Sequence, residues 1–359
     1  MLRGHGGNIY ETAQRLGCTP SDIFDMSSNV NPLGPPSGLV KFLIENIDAI
    51  NALPEVDAKG TIDAFAKRYG LDPHLVLSGN GTTQFIYAIP QVLETRNALI
   101  LGPTYADYAD ACAMYNVKHS FVITDDANDF KVDLNKLKTH MEAADTIFIC
   151  NPNNPTGTLI PKETLDELVR EFSEKHFIID ESYLPFVIDG DRISMVDLGY
   201  SNVIVLNSMS KIFRIPGLRI GFLISSPKII EKFLRYALPW SANSLAQIAV
   251  NYLMKNRSET DAFIEKTRVF LEAEKKSFLT MFGNVPGIHV FSSTTSFVLA
   301  KLFENHTAEE VCEYLAQRRI LIRNCANFKG LSNHFIRVAF KTKEINTMLR
   351  DHLSEFFNR

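Results

Sequence analysis

The run Ser208-Met209-Ser210-Lys211-Ile212-Phe213-Arg214-Ile215-Pro216-Gly217-Leu218-Arg219 concentrates more reactive side chains than any other stretch of this chain. A lysine held among cations or in an apolar setting sheds its proton and can form an imine with a carbonyl compound. Ser208, Ser210 and Arg219 add two hydroxyls and a guanidinium fork, a set suited to a dianionic phosphate. A surface loop with a solvated lysine and arginine would have the same composition. A second cluster, Phe177-Ile178-Ile179-Asp180-Glu181-Ser182-Tyr183, ends an apolar run on a carboxylate. Desolvating Asp180 without a cation costs several kcal/mol. A protonated ring nitrogen would supply that cation, and Tyr183 could bond an oxygen of the same ring. The plainer role for such an aspartate is a helix cap.

Two turn-like clusters accompany these. Asn151-Pro152-Asn153-Asn154-Pro155-Thr156-Gly157 follows an apolar run that ends at Cys150. Two Asn-Pro steps and a glycine restrict the dihedrals enough to aim the Asn154 amide at a fixed point. A surface turn also fits, though it rarely needs this rigidity. Leu77-Ser78-Gly79-Asn80-Gly81-Thr82-Thr83 leads into a helical pattern over Gln84-Leu93. Glycines opening a helix expose N–H groups, and the helix dipole favours an anion there. Tyr105, in Gly102-Pro103-Thr104-Tyr105, could stack on a flat ring or belong to the core.

The elements that must hold these residues read as follows. Ala98-Leu101, His119-Ile123, Thr146-Cys150, Phe177-Asp180, Val203-Leu206 and Ile220-Ser225 are candidate strands. Tyr105-Tyr115, Asp133-Met141 and Lys162-Lys175 are helical patterns between them. Continuous apolar strands separated by helices predict an α/β fold with a largely parallel sheet covered on both faces. Sites on such sheets form beyond strand ends, where Lys211 falls. From about Glu231 to Phe282 the pattern is helical. After Pro286 it becomes strand (Ile288-Leu299), helix (Thr307-Arg318), strands (Ile320-Ile322 and Phe335-Phe340) and helix (Glu344-Phe357). The expected division is residues 1–36 joining a small domain, 37–256 as a large α/β domain, and 257–359 as a smaller α+β domain.

Composition narrows the partners. The 359 residues are 45% hydrophobic and 22% charged, enough apolar content for a sizeable core. A net charge of -4, from 37 basic and 41 acidic residues, predicts neither a nucleic-acid nor an anionic-membrane partner. Any bound anion must therefore be held by locally placed cations. Five scattered cysteines without a CxxC pair argue against a disulfide framework or a metal cage and suit a reducing cytoplasm. No apolar run resembles a signal peptide, and none approaches the roughly 18 residues of a membrane helix. The expected address is cytoplasmic.

The Asn-Pro-Thr-Gly, Asp-x-x-Tyr and Ser-x-Ser-Lys…Arg elements, in this order, resemble the aspartate-aminotransferase superfamily, the type I fold of pyridoxal 5′-phosphate (PLP) enzymes. Asn154 and Asp180 are 26 positions apart, Asp180 and Lys211 31, and the likeness covers nearly the whole chain. It implies PLP as cofactor, Lys211 as its covalent attachment point and Asp180 as partner of the pyridine nitrogen, with Tyr183 completing the catalytic group. It further implies Asn154 and Tyr183 at the ring oxygen and Tyr105 on the ring face. Asn80, Gly81, Thr82, Ser208, Ser210 and Arg219 would surround the phosphate. Arg337, in Phe335-Ile336-Arg337-Val338-Ala339, matches the arginine that takes the substrate α-carboxylate.

Four further stretches look like the threonine-phosphate decarboxylases of cobalamin biosynthesis, relatives of histidinol-phosphate aminotransferases. They are His5-Gly6-Gly7-Asn8, the run from Asp25 to Pro36, the run from Pro239 to Gln247, and Arg323-Asn324-Cys325-Ala326-Asn327-Phe328. The likeness implies a small phosphorylated amino acid as substrate. L-threonine O-3-phosphate would give (R)-1-amino-2-propanol O-2-phosphate, or L-serine O-phosphate would give ethanolamine O-phosphate, as the cobamide nucleotide-loop linker. Arg323 would hold the substrate phosphate with His5 and Asn31 beside it, while Asn154 and Arg337 hold the rest. The alternative is histidinol-phosphate aminotransferase. Leu53 replaces a tyrosine that in relatives reaches the partner's cofactor phosphate, and Ser28 and Asn324 depart from the usual Ala and Asp. A homodimer remains the implied assembly.

Overall fold

The computed structural model describes residues 7–283, 285–303 and 305–359. A short helix, Ile9–Leu16, is capped by the Asn8 side chain and precedes the two-residue strand β1 (Phe24–Asp25). A seven-stranded sheet follows, built from β2 (Val76–Asn80), β3 (Asn97–Gly102), β4 (Lys118–Ile123), β5 (Thr146–Cys150), β6 (His176–Asp180), β7 (Val203–Ser208) and β8 (Ile220–Ser225). Its order is β2-β8-β7-β6-β5-β3-β4. β8 pairs antiparallel with both neighbours, and all other pairs are parallel. Every residue of β5 and β8 is buried, as a sheet covered on both faces requires. Crossover helices Asp107–Met114, Leu134–Met141 and Lys162–Glu171 supply the cover. In the last of these Leu165, Leu168 and Val169 point inward at helical spacing.

A second sheet contains β9 (Ile288–Val290), β10 (Phe297–Leu302), β12 (Arg323–Asn324) and β13 (Phe335–Ala339), all antiparallel in the order β12-β13-β10-β9. β11 (Ile320–Leu321) pairs instead with β1, in parallel, so the N-terminal segment is tied to the C-terminal third of the chain. Helices Ala308–Ala316 and Lys343–Phe357 pack beside this part, and the 26-residue helix Arg257–Phe282 leads into it.

Three local expectations are corrected. Val76–Asn80 is an edge strand rather than part of a Gly-rich turn, and the helix begins at Gly81, not Gln84. The strand expected over Ile288-Leu299 is two strands. Between them Thr294 turns away from the ladder, its N–H and its hydroxyl both donating to Gly157 O at 2.9 Å. The helical region before Phe282 is three helices, Pro227–Leu234, Ser244–Lys255 and Arg257–Phe282. Among the described residues no helix is long and apolar enough to cross a membrane.

Candidate active site

The C-terminal ends of β2, β5, β6 and β7 and the start of β8 lie along one sheet edge. Register fixes this: Cys150 is level with Asp180, Asp180 with Leu206, Ser208 with Gly221, and Asn80 with Ile220. The loops that follow must therefore sit side by side, the usual place for a ligand on such a sheet. Lys211 stands on the one-turn helix Met209–Ile212 directly after β7. Burial, then the nearby Arg219 and Arg337, lower its amine to about 8, with Asp180 opposing. Among the described residues its Nζ has no hydrogen-bond partner, so a largely neutral amine faces the cavity at mildly alkaline pH.

Asp180 is buried, and its oxygens accept from Tyr108 Oη at 2.8 Å and Ser182 N at 3.0 Å. No cation lies within ion-pair distance of it among the described residues. Burial and Asp180 itself keep Tyr108 protonated as a donor. A buried carboxylate with donors but no counter-charge fits a protonated pyridine nitrogen. The phosphate end fits as well. A Cβ on Gly81 would lie 2.8 Å from Arg219 Nη2, and one on Gly221 only 2.5 Å from Thr82 N. Glycine at both positions lets backbone and guanidinium close into a cradle, which Ser208 and Ser210 complete. Among the described residues Arg219 itself bonds only Pro216 O, at 3.5 Å, leaving its fork open.

This narrow cavity, about 80 Å³, shares Tyr105, Asn154, Tyr183 and Lys211 with a wider one of about 500 Å³. Tyr183 is buried with its hydroxyl accepting from Asn29 Nδ2 at 3.2 Å, and burial raises it to about 12 against the pull of Arg337. Asn154 Oδ1 accepts from Arg337 Nη1 and, at 3.5 Å, from Asn29 Nδ2. Arg337 Nη2 bonds Ser27 O at 2.8 Å, while its buried Nε has no partner. Arg323 sits directly opposite Arg337 in the β12–β13 ladder, and both line the wider cavity. The basic lining residues are Lys211, Arg214, Arg323 and Arg337, and the acidic one is Asp25. Asp25 Oδ1 already takes three donors, from Ser27 N, Ser27 Oγ and Ser28 N.

Comparison with known proteins accords with this geometry. Residues 21–353 match the model of the family "Aminotransferase class I and II". The chain belongs to that family. Class I and II aminotransferases use PLP, a cofactor that the cradle, the aspartate and the lysine fit. The chain is 33% identical to the adenosylcobalamin biosynthesis bifunctional protein of Leptospira interrogans, over 99% of its own length but only 41% of that protein's. It is 30% identical to the threonine-phosphate decarboxylase of Salmonella typhimurium, covering 96% of this chain and 94% of that one. The crystal structure of histidinol-phosphate aminotransferase from Clostridium acetobutylicum superposes with a TM-score of 0.86 at 29% identity, covering 94% and 99%. The architecture is that of type I PLP enzymes.

Within this aminotransferase-family site, the expected residues Gly81, Thr82, Tyr105, Asn154, Asp180, Tyr183, Ser208, Ser210, Lys211, Arg219, Arg323 and Arg337 all line one of the two cavities. Two expected residues do not. Asn31 is fully buried, its amide donating to Ile212 O (2.8 Å) and Thr267 Oγ1 (2.7 Å) and its Oδ1 accepting from Leu33 N. With every polar atom engaged it braces the Lys211 helix and cannot reach a substrate. Asn80 ends β2 exposed, its N–H donating to Gln84 Oε1, and lines neither cavity. His5 lies outside the described residues. Asn29, Tyr108 and Arg214 are in the site without having been expected there. On the other face of the same strand ends, Glu181 and Asn207 line a separate cavity. Burial lifts Glu181 to about 7 although Met195 N and Ser194 Oγ donate to it.

Proposed function

We propose that this chain is a PLP-dependent carboxy-lyase that decarboxylates a small phosphorylated amino acid, L-threonine O-3-phosphate or L-serine O-phosphate, to make a cobamide linker. The observation that carries this reading is the Arg323–Arg337 pair. Two guanidinium side chains directly opposite each other in a ladder repel, and here they line a cavity with two more basic groups and a single carboxylate, Asp25, among the described residues. A ligand with two separate anionic groups relieves that repulsion. The sequence likeness to the Salmonella typhimurium decarboxylase supports the same choice.

Bound PLP would act as an electron sink for whichever substrate bond stands perpendicular to its ring. Arg337, steadied by Asn154 and Ser27, orients the substrate carboxylate toward that position. Arg323 takes the phosphate at the far end. Lys211, with its amine lowered to about 8, is divided between its two protonation states near that pH. It is placed to deliver a proton from its ammonium Nζ to the carbon that has lost CO₂ and be left neutral. The histidinol-phosphate aminotransferase likeness favours a second reading, in which the same cations hold histidinol phosphate and then a keto acid.

Holoenzyme given O-phospho-L-threonine or O-phospho-L-serine without a keto acid is expected to release CO₂ over many turnovers. Turnover of histidinol phosphate with 2-oxoglutarate, and no CO₂ from either phosphoamino acid, would replace the decarboxylase with the aminotransferase.

We also propose a homodimer. Ile44, Ile47, Ile50, Leu53, Leu238 and Trp240 are all exposed, and Trp240 N–H donates to Val56 O at 2.9 Å, joining the two stretches. An apolar patch of this kind marks an interface. In such a dimer Leu53 has no hydroxyl to offer the partner's cofactor phosphate.

A further inference from the structure

Arg214 is three residues past Lys211 and lines the same wide cavity, yet the roles assigned above leave it unused. Its backbone is unusual. At φ +47° it occupies the left-handed region, where glycine or asparagine is the ordinary occupant. The turn itself does not require an arginine, so its side chain must justify keeping it there. That side chain has little local employment. Nη1 makes two long bonds, to Pro32 O at 3.4 Å and Asn31 O at 3.5 Å, and no carboxylate lies within ion-pair distance among the described residues.

The surroundings are already cationic. Buried Lys341 is beside Arg214, and burial followed by Arg214 lowers that lysine to about 8, with Asp25 opposing. Asp25 Oδ1 takes its three donors from Ser27 and Ser28. A guanidinium exposed to a cavity, with no acid in ion-pair reach among the described residues and with a lysine at its back, has an unmet demand for an anion. Position indicates which one. Arg337 is already assigned to the carboxylate. Arg214 enters the cavity from the loop after Lys211, against the carbonyls of residues 31 and 32, whereas Arg323 and Arg337 enter it from the β12–β13 ladder.

We infer that Arg214 is a specificity residue that closes on the substrate's terminal phosphate from a different element than Arg323, so that the dianion is held between two guanidinium forks. This rests on the proposed phosphoamino-acid substrate and deepens it: selectivity for the phosphorylated over the free amino acid would come from two arginines rather than one.

The test uses holoenzyme and reads both ligand binding, from the visible absorption change of the bound cofactor, and CO₂ release. Arg214→Gly removes the guanidinium while suiting the positive φ, so the variant is expected to keep its fold, its melting temperature and its resting spectrum. O-phospho-L-threonine should bind about 10- to 100-fold more weakly to it, the range for one charge-assisted contact. L-threonine should bind unchanged, the loss should appear in KM more than in kcat, and Arg214→Lys should recover part of it. Equal affinity of the wild type and Arg214→Gly for O-phospho-L-threonine, or an equal loss for L-threonine, overturns the inference. If the wild type binds the phosphoamino acid tightly but releases no CO₂, the proposed reaction falls while the arginine's role is still decided by the binding comparison. If the wild type does not bind it at all, both fall.

Discussion

Lys211 lies where burial and two arginines outweigh one aspartate, and the balance has a measurable sign. Its amine is lowered from 10.5 to about 8 in the folded protein. An unfolded lysine keeps its proton up to the higher value, so between pH 8 and 10.5 the unfolded state binds the extra proton. Folding of the cofactor-free protein is thus disfavoured by this residue below about pH 8 and regains stability as pH rises above it. In the role proposed for Lys211 the free amine also captures the cofactor. Uptake of PLP by cofactor-free protein should accelerate with pH and level off just above 8, followed by visible absorbance. An unperturbed lysine would keep accelerating beyond pH 10, and Lys211→Ala should show no covalently attached cofactor at any pH. Residues of this kind were legible from sequence because their chemistry is expensive: a lysine among cations and a carboxylate ending an apolar run demand an explanation. Asn31 misled because both it and Asn29 are plausible amides. The Val30 N–H bond to Ser28 O, a tight turn, sends Asn29 to Tyr183 and leaves Asn31 against Ile212. Tyr108 carried no signal, since a buried tyrosine in a helix is ordinary core until its hydroxyl is seen on Asp180.

At the scale of elements, the cradle depends on how closely β8 approaches the start of the helix Gly81–Val92. Gly221 permits that approach, because any Cβ there would meet Thr82 N at 2.5 Å and Gly81 C at 2.9 Å, both backbone atoms. Gly221→Ala should force the helix start away from the phosphate, at an overpacking cost of about 1–3 kcal/mol. The expected outcome is faster cofactor loss on dialysis and a lower melting temperature, with Lys211 chemistry intact once excess PLP is supplied. Wild-type retention of cofactor by this variant would mean the contact is not what shapes the cradle. The same contact explains why β2 was hidden. It is an edge strand of mixed Val, Leu, Ser, Gly and Asn, pairing only with β8, whereas the central strands β5 and β6 announce themselves as unbroken apolar runs. The residues between β9 and β10 were misread for a related reason. Thr294 gives both its N–H and its hydroxyl to Gly157 O of the Asn-Pro turn instead of to a ladder, a long-range arrangement that no local pattern encodes.

For the molecule as a whole, the apolar stretches around Ile47 and Trp240 have no cover within one chain. Trp240→Glu combined with Ile47→Asp should halve the mass measured by light scattering and leave each protomer folded, with activity reduced; an unchanged mass would place the interface elsewhere. One feature of the sheet reaches further. Along β6 and β7 the side chains alternate, so Asp180 and Ser208 face the cofactor cradle while Glu181 and Asn207 face the cavity behind it. Dropping or adding a single codon inside 176–179 would exchange those roles, presenting Glu181's position to the pyridine and turning the aspartate to the rear. The spacing of residues within these two short strands therefore constrains the site as tightly as the identity of the residues they carry.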